Sequence, residues 1–266
     1  MHANIQSAQA ALRDMGLPSA PIEGFDDALI VPAEGRRPLL PFVWASTPFN
    51  PQSVGAICGD KAAVHALLKG AVPMPETRRF LDSEPIESIV DATADMGYPR
   101  IVKMNSGARS LNVYFIENEN ECRRALKTIF DKRLRGYDYI ALVQEFIDAR
   151  KEWRVAISAG EPTLAYAKGT FEIAPADLSR DLSRIASVVV RALGMSWGAV
   201  DVLESVGGEL YFLEANTRPG YAGFVSAHGY GPIRDLYKKA LKRELQGAPR
   251  SWVRTVLTFS RPEKVR

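Results

Sequence analysis

Two strand patterns joined by a glycine turn constrain this chain more than any other feature. WGAVDVLE, which begins at Trp197, and ELYFLEAN, which begins at Glu209, are separated by SVGG. Adjacent glycines between two alternating apolar segments are typical of a β-hairpin. Because hairpins rather than regular βαβ units recur along the chain, we predict an α/β (α+β) fold and not a simple doubly wound sheet.

The register of this hairpin predicts a cluster of oxygen ligands. Pairing about Gly207 and Gly208 places positions whose numbers sum to about 415 opposite each other, so Asp201 faces the region of Glu214. Glu214 and Asn216 are two residues apart and therefore share one face of their strand. Carboxylate and amide oxygens suit Mg²⁺. Each residue alone is more simply explained as a surface group, but the three together predict a metal site.

Helical and strand patterns alternate along the rest of the chain. Apolar residues at helical spacing predict helices, and short β-branched or aromatic runs predict strands. The Pro-rich segment 25–59 is expected to hold one or two strands. Helices are predicted at 3–15, 60–71, 87–97, 118–133, 176–194 and 229–245. Strands are predicted at 98–105, 111–116, 139–147, 152–160, 162–169 and 252–259.

Composition excludes several classes of protein. The net charge of +3 is too small to indicate a nucleic-acid or membrane partner. The two cysteines, Cys58 and Cys122, form no C-x-x-C motif, which argues against a disulfide scaffold or a zinc site. No segment is apolar enough to span a membrane or to form a signal peptide. We therefore expect a soluble, cytoplasmic protein with no nucleic-acid or membrane partner.

A lysine followed by a small-residue loop predicts a phosphate contact. IVKMNSGARSLNV places Lys103 at the end of an apolar strand, just before Ser106 and Gly107. Backbone N–H groups and hydroxyls of such a loop can cover phosphate oxygens while the lysine supplies charge. Taken alone, the pattern is better explained by an ordinary hairpin turn beside an exposed lysine.

Taken in order, these stretches resemble the ATP-grasp superfamily of carboxylate–amine ligases, from about Asp60 to about Ala240. Five stretches carry the resemblance, and the hairpin is similar to that of D-alanine–D-alanine ligases. The segment GYAGFVSAHGYGPIRDLYKKAL looks more like RimK-type glutamate ligases. The five stretches are Asp60-Lys61 with VPMPET, YPRIVKMNSGARSLNV, LVQEFIDARKEWRV, VVVRALGMSWGAVDVL and LYFLEANTRPGY.

The resemblance implies an ATP-grasp fold, in which two α+β subdomains clasp ATP behind a reduced N-terminal region. The implied divisions are a pre-ATP-grasp-like region at 1–59 and an ATP-grasp domain at 60–266, split at about 145/146 into subdomains 60–145 and 146–266. It also implies ATP and Mg²⁺ as cofactors, with Mn²⁺ as an alternative metal. The implied residues are Lys61 and Lys103 on the phosphates, Ser106 and Gly107 in the covering loop, Glu145 and Phe146 at the adenine, Glu152 at the ribose, and Asp201, Glu214 and Asn216 at the metal.

The chain departs from the D-alanine–D-alanine ligase pattern at Ala199, where those enzymes carry an arginine. Arg218, two residues after Asn216, is our predicted replacement, as a clamp on an anionic substrate or acyl phosphate. The alternative is a surface arginine stacked on Tyr221 or Trp197. A long basic loop of RimK-type enzymes is also missing, which leaves the acceptor undefined.

The implied activity is an ATP-dependent ligase that forms an amide or peptide bond through an acyl phosphate and releases ADP and phosphate. Lys103 and Arg218 are the predicted catalytic residues, because such chemistry depends on positioning and charge neutralisation. The substrate would be an amino acid or the end of a peptide or protein. Two alternatives stay open: a nucleotide-binding module without turnover, and an enzyme that passes its acyl phosphate to a non-amine acceptor. A homo-oligomer is also left open.

Overall fold

Three antiparallel sheets organise the part of the chain that the computed structural model describes, residues 2–33, 39–107, 111–134 and 136–247. The N-terminal sheet has the order β1-β2-β3, with β1 Ala20–Ile22, β2 Phe25–Val31 and β3 Leu40–Val43. The second sheet has the order β4-β7-β5-β6, with β4 Thr77–Leu81, β5 Arg100–Met104, β6 Val113–Ile116 and β7 Ile140–Glu145. The third has the order β11-β10-β8-β9, with β8 Ala149–Ser158, β9 Glu161–Ala167, β10 Trp197–Ser205 and β11 Leu210–Asn216.

Some helices begin or end at residues that satisfy free backbone groups. The Asp60 side chain accepts a hydrogen bond from the N–H of Ala63, and the Asn118 side chain accepts one from Glu121. Gly194 stops a long helix in the left-handed conformation. The helices are α1 Ala3–Asp14, α2 Gln52–Gly59, α3 Lys61–Leu68, α4 Ile86–Ala92, α5 Glu119–Ile129, α6 Ala176–Leu193, α7 Ala222–His228 and α8 Gly231–Gly247.

The sheet β4-β7-β5-β6 packs against helices α4 and α5. Its core contains Val102 and Val143 from the strands, with Ile89, Leu126 and Ile129 from the two helices. All five side chains are buried, so this half of the molecule has its own hydrophobic core.

The sheet β11-β10-β8-β9 is covered on both faces. On one face, Trp153 and Val200 pack with α6 and with Val64 and Leu68 of α3. On the other face, the end of the sheet that holds Trp197 packs with the N-terminal sheet and with α1, α7 and α8. The opposite end of this second face is not covered by that core, and it carries the site described below.

The predicted α+β fold built from hairpins is confirmed. Strands β1 and β4 and helices α2 and α7 had not been predicted, because their short patterns lie beside prolines or glycines. The predicted strand at 252–259 lies outside the described residues. The domain boundaries near 60 and 146 stay predictions. Across the described ranges, no helix combines the length and apolar character needed to cross a membrane.

Candidate active site

One face of the sheet β11-β10-β8-β9 carries alternating polar side chains. On β8, Glu152 and Arg154 alternate with Trp153 and Val155, which belong to the core on the opposite face. Arg154 lies opposite Asp201 of β10. Period-two alternation therefore aligns charges across neighbouring strands on one surface.

The predicted hairpin register is confirmed. Asp201 pairs with Glu214, and Ala199 pairs with Asn216, so in both pairs the residue numbers sum to the expected value. The register shifts only after Asp201, at a bulge before Val202. Since Asp201 and Glu214 lie directly opposite each other, their carboxylates share one face.

Asp201 is completely buried and is paired with two cations. Its Oδ1 accepts a hydrogen bond from Arg154 Nε at 2.8 Å, and its Oδ2 accepts one from Arg154 Nη2 at 2.7 Å. Lys168 Nζ lies 3.2 Å from Oδ2 and also pairs with Glu152. Burial alone would raise the pKa of Asp201, but Arg154 and Lys168 hold it below its ordinary value. Asp201 is therefore a carboxylate anion.

Glu214 has the opposite electrostatic environment. Burial and the charge of Asp201 raise the pKa of Glu214, while Lys61, Lys168 and Lys103 act against this rise. Two facing carboxylates, one of them incompletely neutralised, form an environment that an added cation would stabilise.

These donors fit a hard divalent cation. Within the described ranges, no group of three His, Cys, Asp or Glu residues is arranged to bind a metal ion. The candidate ligands here are the carboxylates of Asp201 and Glu214 and the side-chain amide of Asn216. Mg²⁺ favours such a set, because it keeps several waters and takes further oxygens from phosphates. The Asn216 Oδ1 accepts a hydrogen bond from the Arg218 N–H at 2.8 Å and retains a second lone pair.

A cavity of about 360 Å³ opens between the two four-stranded sheets beside these residues. It brings together seven of the residues predicted from the sequence, and its other walls are largely apolar. The predicted residues in its wall are Lys61, Lys103, Gly107, Glu145, Phe146, Glu152 and Glu214. The apolar wall includes Ile101, Met104, Val113, Leu203 and Leu213. A largely apolar cavity whose wall also contains lysines and carboxylates is suited to a nucleotide.

A second hollow, of about 400 Å³, lies near the start of α6, away from these groups. Its charged side chains pair with one another: Arg150 with Glu204, and Lys151 with Glu172. We therefore place the candidate chemistry in the inter-sheet cavity, where cations and carboxylates from different elements converge.

Two lysines approach the cavity from different elements. Lys61, at the start of α3, donates from Nζ to the Gly107 carbonyl at 2.8 Å. Lys103, on β5, is almost fully buried and donates to Gln144 Oε1 at 2.9 Å. Burial, and then the charge of Lys61, lower the pKa of Lys103 to about 8, against the attraction of Glu214. An anionic ligand would restore the missing counter-charge.

The loop after β5 is anchored near its start, at Ser106. The N–H and the hydroxyl of Ser106 both donate to Asp138 Oδ2 at 2.6 Å. Ser106 therefore points toward Asp138 and is not part of the cavity wall. Residues 108–110, with Arg109, lie outside the described residues.

The predicted adenine and ribose residues lie at the end of β7 and the start of β8. Phe146 lines the cavity and makes an edge-on contact with Phe115, with ring centroids 5.0 Å apart. The Glu145 N–H donates to the Glu76 carbonyl at 2.8 Å, so an adenine contact at Glu145 would use its other groups. Glu152 lines the same cavity and pairs with Lys168. These roles stay predictions.

Arg218 is exposed after β11 and is not part of the cavity wall, whereas Tyr221 and Trp197 are fully buried. Its clamp role stays a prediction. Two cations that we had not chosen as site residues, Arg154 and Lys168, are the ones that contact Asp201. The alternation in EWRV was the available sequence signal for Arg154, since it places the arginine on the same face as Glu152.

Known proteins resemble this chain in sequence and in fold. No family model matches the chain. A D-alanine–D-alanine ligase from Thermotoga petrophila is 32% identical over 192 residues, which cover 62% of this chain and 58% of the relative. The chain thus spans little more than half the length of that curated relative.

Two solved structures share the fold. A D-alanine–D-alanine ligase from Bacillus anthracis complexed with ATP has a TM-score of 0.59 and 20% identity, covering 76% of this chain and 69% of that one. The VanG D-Ala:D-Ser ligase from Enterococcus faecalis has a TM-score of 0.58 and 20% identity, covering 74% and 63%.

The chain has the ATP-grasp fold, as predicted, and shares it with solved D-alanine–D-alanine ligases. Its sequence is similar to D-alanine–D-alanine ligases. The resemblance to RimK-type glutamate ligases stays a prediction.

Proposed function

We propose that this protein is an ATP- and Mg²⁺-dependent ligase that joins the carboxylate of a small amino acid to an amine. One observation carries the proposal: a single cleft holds Lys61 and Lys103 together with Glu214, whose partner across the hairpin is Asp201. The lysines can neutralise the charge of phosphate groups, and the carboxylates can bind a divalent cation.

ATP would lie in the cavity between the sheets. The apolar wall of this cavity would contact the adenine, and Glu152 would accept hydrogen bonds from the ribose hydroxyls. Lys61 and Lys103 would then meet the phosphate oxygens, since both line the same cavity. In the free protein Lys168 pairs with Glu152. When the ribose replaces Lys168 as the partner of Glu152, the Lys168 ammonium would also contact the phosphate oxygens.

Asp201, Glu214 and Asn216 would hold Mg²⁺, with Mn²⁺ as an alternative. When bound there, the metal would neutralise charge on the phosphate oxygens during phosphoryl transfer. The proposed role of the three protein groups is to supply oxygen ligands on one face of the hairpin.

The proposed reaction has two balanced steps. A substrate carboxylate oxygen bonds to the γ-phosphorus of ATP as the bond to ADP breaks, which gives an acyl phosphate. An amine nitrogen then bonds to the acyl carbon, phosphate leaves with the electron pair of the C–O bond, and the amine loses a proton. Neither step requires a nucleophilic side chain, so charge placement by Lys61 and Lys103 is the main contribution of this chain.

D-Alanine is the first substrate to test, since relatives similar to this chain are D-alanine–D-alanine ligases. The chain spans 58% of the length of the first of these relatives, and Ala199 stands where we expect their arginine. The acceptor is therefore best sought in a panel of D- and L-amino acids and dipeptides.

The test is release of ADP and phosphate by the purified protein with Mg·ATP, with and without each member of the panel. Glu214→Gln removes one carboxylate with little change in shape and should lower turnover at least about 100-fold. Glu161→Gln, at the distant start of β9, is the matched control and should leave turnover unchanged. Mass spectrometry of the product should show the sum of two substrates less one water.

Stimulated ADP release without a new amide would indicate an acceptor that is not an amine. ATP binding without release from any member of the panel would argue for a binding module. Full turnover in Glu214→Gln would contradict the metal assignment.

A further inference from the structure

Asp201 has no face open to an incoming cation. Its side chain is 0% exposed, and both of its oxygens are occupied by the guanidinium of Arg154, itself only 12% exposed. Lys168 adds a third, longer contact at 3.2 Å. A divalent cation therefore reaches Asp201 only when one of these side chains yields its place.

Arg154 lies at the centre of this arrangement. It pairs across the sheet with Asp201 on β10 and with Tyr166 on β9. The next residue on the same face of β8 is Ala156, which lies opposite Ala199. Position 199 carries no guanidinium, and the guanidinium that meets Asp201 comes from the neighbouring strand β8.

We propose that Arg154 occupies the metal position on Asp201 in the free protein and, when a divalent cation displaces it, binds the carboxylate or acyl phosphate of the substrate. The substrate part of this inference rests on the proposed function.

The physical argument is one of charge compensation. A guanidinium that loses its carboxylate inside a largely buried site is destabilised unless another anion replaces it. A substrate carboxylate matches the planar fork of arginine and can make the same two hydrogen bonds. Cation binding at Asp201 and anion binding at Arg154 should therefore favour each other, and this coupling is reciprocal.

Mn²⁺ binding tests the exchange without any need for turnover. Electron paramagnetic resonance of free Mn²⁺ would give its Kd in the wild type, Arg154→Gln and Arg154→Lys, with a non-hydrolysable ATP analogue present. Arg154→Gln removes the competing cation and should tighten Mn²⁺ binding about tenfold, within the usual range of coupling effects. Arg150→Gln, on the same strand but paired with Glu204 outside the cavity, is the matched control and should keep the wild-type Kd.

Acetate serves as the carboxylate probe. It should tighten Mn²⁺ binding in the wild type and have no such effect in Arg154→Gln. Arg154→Lys keeps the charge but lacks the planar fork, so it should retain near wild-type Mn²⁺ affinity while losing the acetate effect. If Arg154→Gln does not fold, as judged by circular dichroism, Arg154→Lys is the test variant. Loss of the acetate effect in Arg154→Lys would then support the inference.

Unchanged or weaker Mn²⁺ binding in Arg154→Gln would overturn the inference and make Arg154 a fixed structural partner of Asp201. An acetate effect that persists in Arg154→Lys would also overturn it. Because neither measurement depends on ligase turnover, an absence of turnover with the expected exchange would count against the proposed function alone.

Discussion

The Asn4 side-chain amide donates to the Pro219 carbonyl at 2.9 Å, although 215 residues separate them in the chain. The Asn4 side-chain Oδ1 also accepts a hydrogen bond from the Tyr221 N–H at 3.2 Å. One fully buried side chain on α1 therefore holds both sides of the loop that follows Asn216. The N-terminal helix thus supports the candidate metal strand.

Asn4→Ala should lower the free energy of unfolding by about 1–3 kcal/mol, because it leaves buried backbone groups without partners. Urea unfolding checks this value. Gln6→Ala on the same helix is the control, since Gln6 contacts the exposed Tyr230, and it should change stability by less than about 0.5 kcal/mol. Equal losses in the two variants would show that Asn4 has no special role.

Gly198 permits the close approach of β10 to β11. Its φ is +148°, and a Cβ at this position would lie 2.3 Å from the Asn216 carbonyl oxygen. Gly198→Ala should therefore destabilise the fold by about 2–3 kcal/mol and disturb the hairpin end that carries Asn216. At Gly220 nothing lies within 4 Å of an added Cβ, so Gly220→Ala is the control. Thermal unfolding of both variants decides whether the contact matters.

Lys103 should make nucleotide binding depend on pH. Its pKa of about 8 means that the free protein loses this positive charge as the pH rises above that value. Bound phosphate favours the charged form, so the Kd for a non-hydrolysable ATP analogue should rise above pH 8, by up to about tenfold per pH unit. Calorimetric titrations at pH 7, 8 and 9 would measure this slope.

Lys103→Arg is the control for that experiment, because a guanidinium stays charged throughout the range. Its affinity for the analogue should be lower at every pH, and its pH dependence should be flat. The same slope in both proteins would assign the pH dependence to another group.

Lys168 links Glu152 to Asp201, and its pKa is raised because these carboxylates outweigh the effect of burial. Lys168→Met should weaken Mg·ATP binding about tenfold, which corresponds to the loss of one charge-assisted hydrogen bond. Lys151→Met removes a lysine that pairs with Glu172, outside the nucleotide cavity, and should bind Mg·ATP normally. Equal affinities in the two variants would exclude a nucleotide role for Lys168.

Much of the site could be predicted because its parts are local. Asp201 and Glu214 are joined by one short turn, so the hairpin register follows from two glycines and the alternation of apolar residues. Lys103 was found from a strand end before a small-residue loop, whereas Lys61 was implied by the resemblance to ATP-grasp ligases. Short elements beside prolines, such as β4 and α2, were missed because few residues define their periodicity.

What the sequence by itself determined is the hairpin, its register and the chemical character of its polar face. The tertiary structure alone decided which cations meet that face. Arg154 reaches Asp201 because β8 lies between β9 and β10, and strand order is set by packing across the whole sheet. Asn4 reaches Pro219 because α1 packs in the core that covers the other end of that face. Local backbone geometry determines neighbours a few residues apart, whereas burial of distant apolar surfaces determines these long-range contacts.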